Sequence, residues 1–147
     1  MYVIAVNSTQ EKDALACLKK IEGIEVILPS CIRQKRHGGV WREYESIIIP
    51  GYIFIECKFS DALYYKVKNS LYVRGWLGGS RPVKMIEKDT EFIRFIANGG
   101  KPMPEICAKS EMMKKATITI INKRARKIKF RVEVFGQGHT LTLGWKE

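Results

Sequence analysis

The chain has 147 residues, 46% of them hydrophobic and 28% charged, close to the average of a soluble globular domain, which excludes a disordered, collagen-like or coiled-coil chain. That length predicts one domain, or one with a small appendage, large enough to bury a core. Lys and Arg outnumber Asp and Glu by 26 to 15, a net charge of +11, and such an excess favours a polyanionic partner.

The charge is uneven. Residues 1–105 hold 16 basic and 12 acidic side chains, which leaves 10 basic and 3 acidic for 106–147. Cys17, Cys31, Cys57 and Cys107 form no C-x-x-C pair, so they are expected to be reduced, partly buried thiols in a cytoplasmic protein and not zinc ligands. The longest apolar runs are a few residues and no charged-then-apolar segment opens the chain, so neither secretion nor a membrane partner is expected.

Tyr2-Val3-Ile4-Ala5-Val6 is too short for a helix and rich in β-formers, which predicts a buried strand. Ser8 and Glu11 form a capping-box pattern. Ala14, Leu15, Leu18 and Ile21 then recur at helical spacing until Gly23. Ile24 to Ile32 reads as a strand that ends or bends at Pro29. Arg33-Gln34-Lys35-Arg36-His37-Gly38-Gly39 reads as a basic hairpin tip, with Trp41 to Glu45 returning from a tight Gly-Gly turn. Ile47 to Ile55 predicts a central strand interrupted once at Pro50-Gly51. Ser60 caps a helix over 61–68, Tyr72 to Leu77 forms another strand, and a helix from Asp89 ends at Gly99-Gly100. The order β-α-β-β-α-β-α predicts an α+β fold, a sheet layer with helices packed mainly on one face.

Beyond this first domain, residues 1–100, Lys101-Pro102-Met103-Pro104 opens a linker over 101–115. Residues 116–147 read as a small β-rich segment of about three strands, in which Ile128, Phe130, Val132 and Val134 alternate with polar residues. A unit this small barely forms a core alone.

The opening YVIAV and first helix, then GIEVILPSCIRQKRHGG, IIIPGYIFIEC, YVRGWLGG and RPVKM together resemble the NusG family of transcription elongation and antitermination factors, over most of residues 1–98. The resemblance implies an amino-terminal domain built on an antiparallel sheet flanked by helices, which binds the clamp helices of RNA polymerase and suppresses pausing or termination. It extends to specialised branches similar to RfaH or LoaP, which also recognise DNA or nascent RNA. Residues 117–147 resemble only the later part of the family's KOW barrel, since its opening strand and Gly-rich turn are not recognisable between Pro104 and Ala116. The tail is therefore expected to be an incomplete KOW-like segment.

Within this frame, Tyr52 and Phe54 lie two apart on one strand and share a face, opposite Ile53 and Ile55. They are the expected RNA polymerase contact, as an exposed apolar dock, with Trp76 and Tyr2 as additions and Asp61 to Tyr64 as a second edge. Arg33, Lys35, Arg36, His37 and Arg42 around the Gly-Gly turn are candidates for DNA or RNA, with His37 and Trp41 able to stack on bases. Arg74, Lys12 and Lys20 extend that set, and Lys123, Arg124 and Arg126 open a second basic cluster in the tail. The simpler reading of each is a core aromatic or a solvated charge.

An enzyme is not expected. His37 and His139 are the only histidines and have no paired nucleophile, Glu43 and Glu45 read as surface carboxylates, and no phosphate-binding G-x-x-x-x-G-K-[ST] loop exists. Metal, cofactor and small-molecule substrate are therefore not expected either. The alternative to a polymerase-bound factor is a stand-alone RNA-binding module, and a third reading is a structural or ribosome-associated protein.

Overall fold

The computed structural model describes residues 1–107, 110–115, 118–134 and 136–147. The elements are β1 (Tyr2–Val6), α1 (Glu11–Leu18), β2 (Ile24–Ile27), β3 (Ser30–His37), β4 (Val40–Ile47), β5 (Tyr52–Cys57), α2 (Asp61–Lys68), β6 (Val73–Trp76) and α3 (Glu87–Ala97). A short helix α4 (Met112–Lys115) and the strands β7 (Ile118–Asn122), β8 (Lys127–Val134) and β9 (Gln137–Gly144) follow. The α+β class, with helices beside antiparallel sheets and a β-rich tail, is as expected from the sequence. The chain forms two compact units, Met1–Leu28 with Ile49–Ile93, and Pro29–Ile48 with Arg94–Glu147. The hairpin of β3 and β4 thus belongs with the tail, a division that cuts across the expected boundaries at residues 100 and 116.

In the first unit a four-stranded antiparallel sheet has the order β2-β5-β1-β6. Ile4, Ile53, Ile55 and Trp76 on one face form a core with Ala14 and Leu18 of α1 and Leu63 and Val67 of α2. The predicted second helix is observed residue for residue, with Ser60 Oγ accepting from the Leu63 amide at 3.2 Å. The first helix starts later than its Ser8 pattern implies. A turn in which the Gln10 amide donates to the Asn7 carbonyl occupies the residues before it, so Gln10 takes the cap position with no side-chain cap bond.

Two expectations about this sheet are corrected. The run 47–55 is not one interrupted strand: β4 ends at Ile47 and β5 begins at Tyr52, in different sheets. Pro50 has no amide hydrogen to continue a ladder, so the chain leaves one sheet and enters the other there. Nor is the second face of the sheet open, because Val3 and Phe54, paired across β1 and β5, are both fully buried.

In the second unit β3 and β4 pair from Ser30↔Ile47 to His37↔Val40. Gly38 and Gly39, at φ +58° and +79°, form the two-residue turn that this register requires, a conformation that side chains with a Cβ resist. The tail is a three-stranded antiparallel meander, β7-β8-β9. Ile128, Phe130, Val132 and Val134 are buried while Lys129, Arg131 and Glu133 are exposed, as their alternation predicts. The expected linker is tied down: the Met103 amide donates to the Ser30 carbonyl and the Ile32 amide to the Met103 carbonyl, both at 2.8 Å. The expected starts and ends of the tail strands at Ala116 and Phe135 lie outside the described residues.

Candidate functional site

The hairpin sorts its cations by the two-residue period of a strand. Antiparallel register places Arg33, Lys35 and His37 of β3 on one face with Val40, Arg42 and Tyr44 of β4. Lys35 stands directly opposite Arg42, both exposed, and like charges in that position repel. The Arg33 guanidinium lies 5.6 Å from the centre of the Tyr44 ring, within range of a cation–π attraction. Arg36 takes the other face, opposite Trp41. The set of residues expected around the turn is therefore split across two faces of one ribbon, with Arg33, Lys35, His37 and Arg42 together.

Arg126 has a different role from the expected contact with nucleic acid. It is half-buried, its guanidinium sits 4.2 Å above the Trp41 ring, and its Nη1 donates to Gln34 Oε1. Gln34 Nε2 in turn donates to Glu105 Oε1 at 2.9 Å. Arg126 thus fastens the tail to the hairpin, and it covers one face of the Trp41 ring, which was expected to stack on bases. Lys123 and Arg124 remain exposed in the turn before β8, Lys123 within 3.3 Å of Glu147. Lys12, Lys20 and Arg74 are exposed in the first unit.

The same junction buries Cys31, whose thiol donates to the Thr142 carbonyl at 3.7 Å. Burial pushes its pKa from 9.0 to about 11, against the pull of nearby Arg33. Between those values the unfolded chain has lost the thiol proton and the folded chain keeps it. Stability is therefore expected to fall above pH 9 by about 1.4 kcal/mol per pH unit until about pH 11. Urea midpoints measured on both sides of pH 9 should show this fall in the wild type, and Cys31→Ala should show a shallower one, since burial also pushes the Cys57 thiol up.

The four residues expected to meet polymerase do not form one patch. Tyr52 is half-buried and Phe54 has no exposed surface, so the exposed Tyr52–Phe54 dock is corrected: Phe54 is core, because its face of the sheet is covered. Tyr2 and Trp76 lie on the opposite face, with the α1 and α2 core. There they join an aromatic corner that sequence reasoning missed. The Tyr2 and Trp76 rings meet edge to face at 5.6 Å, Tyr64 stacks on Trp76 at 5.8 Å, and Phe59 contacts Tyr2, Tyr64 and Trp76. Tyr65 packs against Tyr64 and stays more than half exposed. Tyr2, Phe59, Tyr64 and Tyr65, with Asp61, Lys68 and Arg81, line a shallow cleft. The available signal was Tyr65, which follows Leu63 and Tyr64 and so turns beyond the apolar stripe that they share.

Among the described residues no cluster of three potential metal ligands is present, and no helix is long and apolar enough to cross a membrane.

Comparison with known proteins gives the family. The transcription termination/antitermination protein NusG of Buchnera aphidicola is 26% identical over 137 residues, covering 84% of this chain and 76% of its own length. That of Escherichia coli O6:H1 is 24% identical over 155 aligned positions, covering 96% and 85%. A solved structure of Thermotoga maritima NusG, concerned with its domain interaction, superposes with a TM-score of 0.60 at 17% identity, over 97% of this chain and 92% of that one, and supports the fold. The family model described as transcription termination factor NusG matches residues 1–104, more than two thirds of the sequence, and the chain therefore belongs to the NusG family.

Proposed function

We propose that this protein is a non-enzymatic transcription factor that acts in the cytoplasm, binds the clamp helices of RNA polymerase, and suppresses pausing or termination. Its role is that of a specialised NusG-family member with an added nucleic-acid contact through the basic hairpin. The family match over residues 1–104 carries this reading. The aromatic corner supports it, because Phe59 and Tyr65 expose 39% and 57% of their surface beside a cleft, and clustered exposed rings mark partner surfaces. Binding alone suffices as mechanism: a factor that prefers the closed, elongating polymerase shifts the population toward it.

Retention of core RNA polymerase from the host by the immobilised protein tests the reading. Wild type is expected to retain it, while Tyr52→Ala, or Phe59→Ala with Tyr65→Ala, weakens retention at least about tenfold, the loss of a central aromatic anchor. Circular dichroism confirms that the variants are folded. Wild-type protein that fails to retain polymerase would remove this proposal and favour the stand-alone RNA-binding module, for which the basic hairpin is the supporting observation.

A further inference from the structure

The second unit contains a groove of about 620 Å3 lined by Arg33, Lys35, Arg36 and Lys127 together with Trp41 and Tyr44. Its volume lies within the roughly 300–1,000 Å3 usual for ligand clefts. No carboxylate lines it among the described residues. Two further observations concern its charge and a third its aromatic lining. Lys35 faces Arg42 across the ribbon, a repulsion that an anion between them would relieve. The buried Nε–H of Arg33 has no acceptor among the described residues, and a buried donor left in that state is costly. Tyr44, on the same face as Arg33 and Lys35, is 38% exposed.

We propose that this groove, walled on one side by the hairpin and on the other by the start of β8, holds single-stranded nucleic acid. Tyr44 stacks on a base, while Arg33, Lys35 and Lys127 hold phosphates. Alternate residues on β3 stand roughly 6.7 Å apart, a step comparable with successive phosphates of an extended strand. A duplex would not offer the unstacked base that an aromatic platform takes. Trp41 contributes a wall and not a platform, because the Arg126 guanidinium sits 4.2 Å above its half-buried ring, whereas Arg33 stands 5.6 Å from the more exposed Tyr44 ring. The tail is then part of the nucleic-acid site itself, and Lys127 is its contribution. The biological setting rests on the transcription reading above, where exposed RNA and DNA strands are both at hand; the binding chemistry does not.

The test is fluorescence anisotropy of the full-length protein with short labelled oligouridylate and oligothymidylate, without polymerase, across a salt series. The two probes tell RNA from DNA, and binding to either one through the groove supports the proposal. Tyr44→Ala is expected to weaken binding at least about tenfold. Lys127→Gln is expected to weaken it about threefold to tenfold and to lower the salt slope by about 0.7. Lys129→Gln removes the same charge two residues along the same face of β8 but outside the groove, and is expected to change affinity less than about twofold. Equal losses for Lys127→Gln and Lys129→Gln would reveal diffuse attraction and overturn the proposal. So would an unaffected Tyr44→Ala variant, or a wild type that binds neither probe. Polymerase retention is read separately: groove-dependent oligonucleotide binding by a protein that polymerase ignores supports the groove while rejecting the transcription reading.

Discussion

Phe54→Ala is expected to lose about 3–5 kcal/mol of folding stability, the cost of deleting a large buried aromatic and leaving a cavity. Phe54 is fully buried and pairs with Val3 and Ile27 across β5's two neighbours, so the cavity would open at the centre of the sheet. For a domain stabilised by about 5–15 kcal/mol in total, that is a large fraction. Loss of polymerase binding in this variant would therefore report unfolding and not the removal of a contact. Half-buried Tyr52 separates the two effects, because its alanine variant should stay folded. Urea denaturation of both variants checks this. A Phe54→Ala protein of wild-type stability would return Phe54 to the docking surface.

The second large effect is expected at Gly144, where β9 passes β3. A Cβ there would lie 2.5 Å from the Ile32 carbonyl oxygen, 2.8 Å from Glu105 Cγ and 3.4 Å from Arg33 Cα. Two of those three atoms are backbone and cannot swing aside, so Gly144→Val must push the strands apart. The expected loss is about 3 kcal/mol, at the upper end for overpacking. It should concentrate at the junction between hairpin and tail. Hydrogen exchange offers a local reading: the amides of Ile32 and Met103, both hydrogen-bonded at 2.8 Å, should lose protection, whereas those of β1 and β5 should not. Wild-type protection at Ile32 and Met103 in the variant would mean that the strands accommodate the side chain.

The sequence was legible wherever a feature is decided by its neighbours along the chain. The Gly38-Gly39 turn, the Ser60 cap and the alternation from Ile128 to Val134 are local chemistry with local outcomes, and all three are observed. The order and spacing of IIIPGYIFIEC and YVRGWLGG likewise pointed to the family. What escaped depends on distant partners. Phe54 reads as an exposed aromatic because a strand's period says which residues share a face, but not whether that face is covered. Arg126 reads as one cation in a basic run, yet its guanidinium is taken by Trp41, 85 positions earlier. The sheet change between Ile47 and Tyr52 is marked by Pro50, but the strand each side joins is set by long-range register. The split of the basic hairpin residues between two faces was within reach of the two-residue period, and needed only the register that the Gly-Gly turn imposes.

The second unit is assembled from stretches 29–48 and 94–147, and this has a consequence for the order in which a ribosome delivers it. His37 is made 90 residues before Lys127, so at about 5–20 residues per second the ribbon waits on the order of ten seconds for its other wall. During that interval it lacks Arg126, Met103 and β9. A newly made ribbon with open edges is a hazard for wrong pairing. Here the strands carry Arg33, Lys35, Arg36 and Arg42 against Glu43 and Glu45, and the net positive charge discourages two nascent copies from joining edge to edge. The cations proposed to hold nucleic acid in the finished protein thus keep its half-built form single during synthesis.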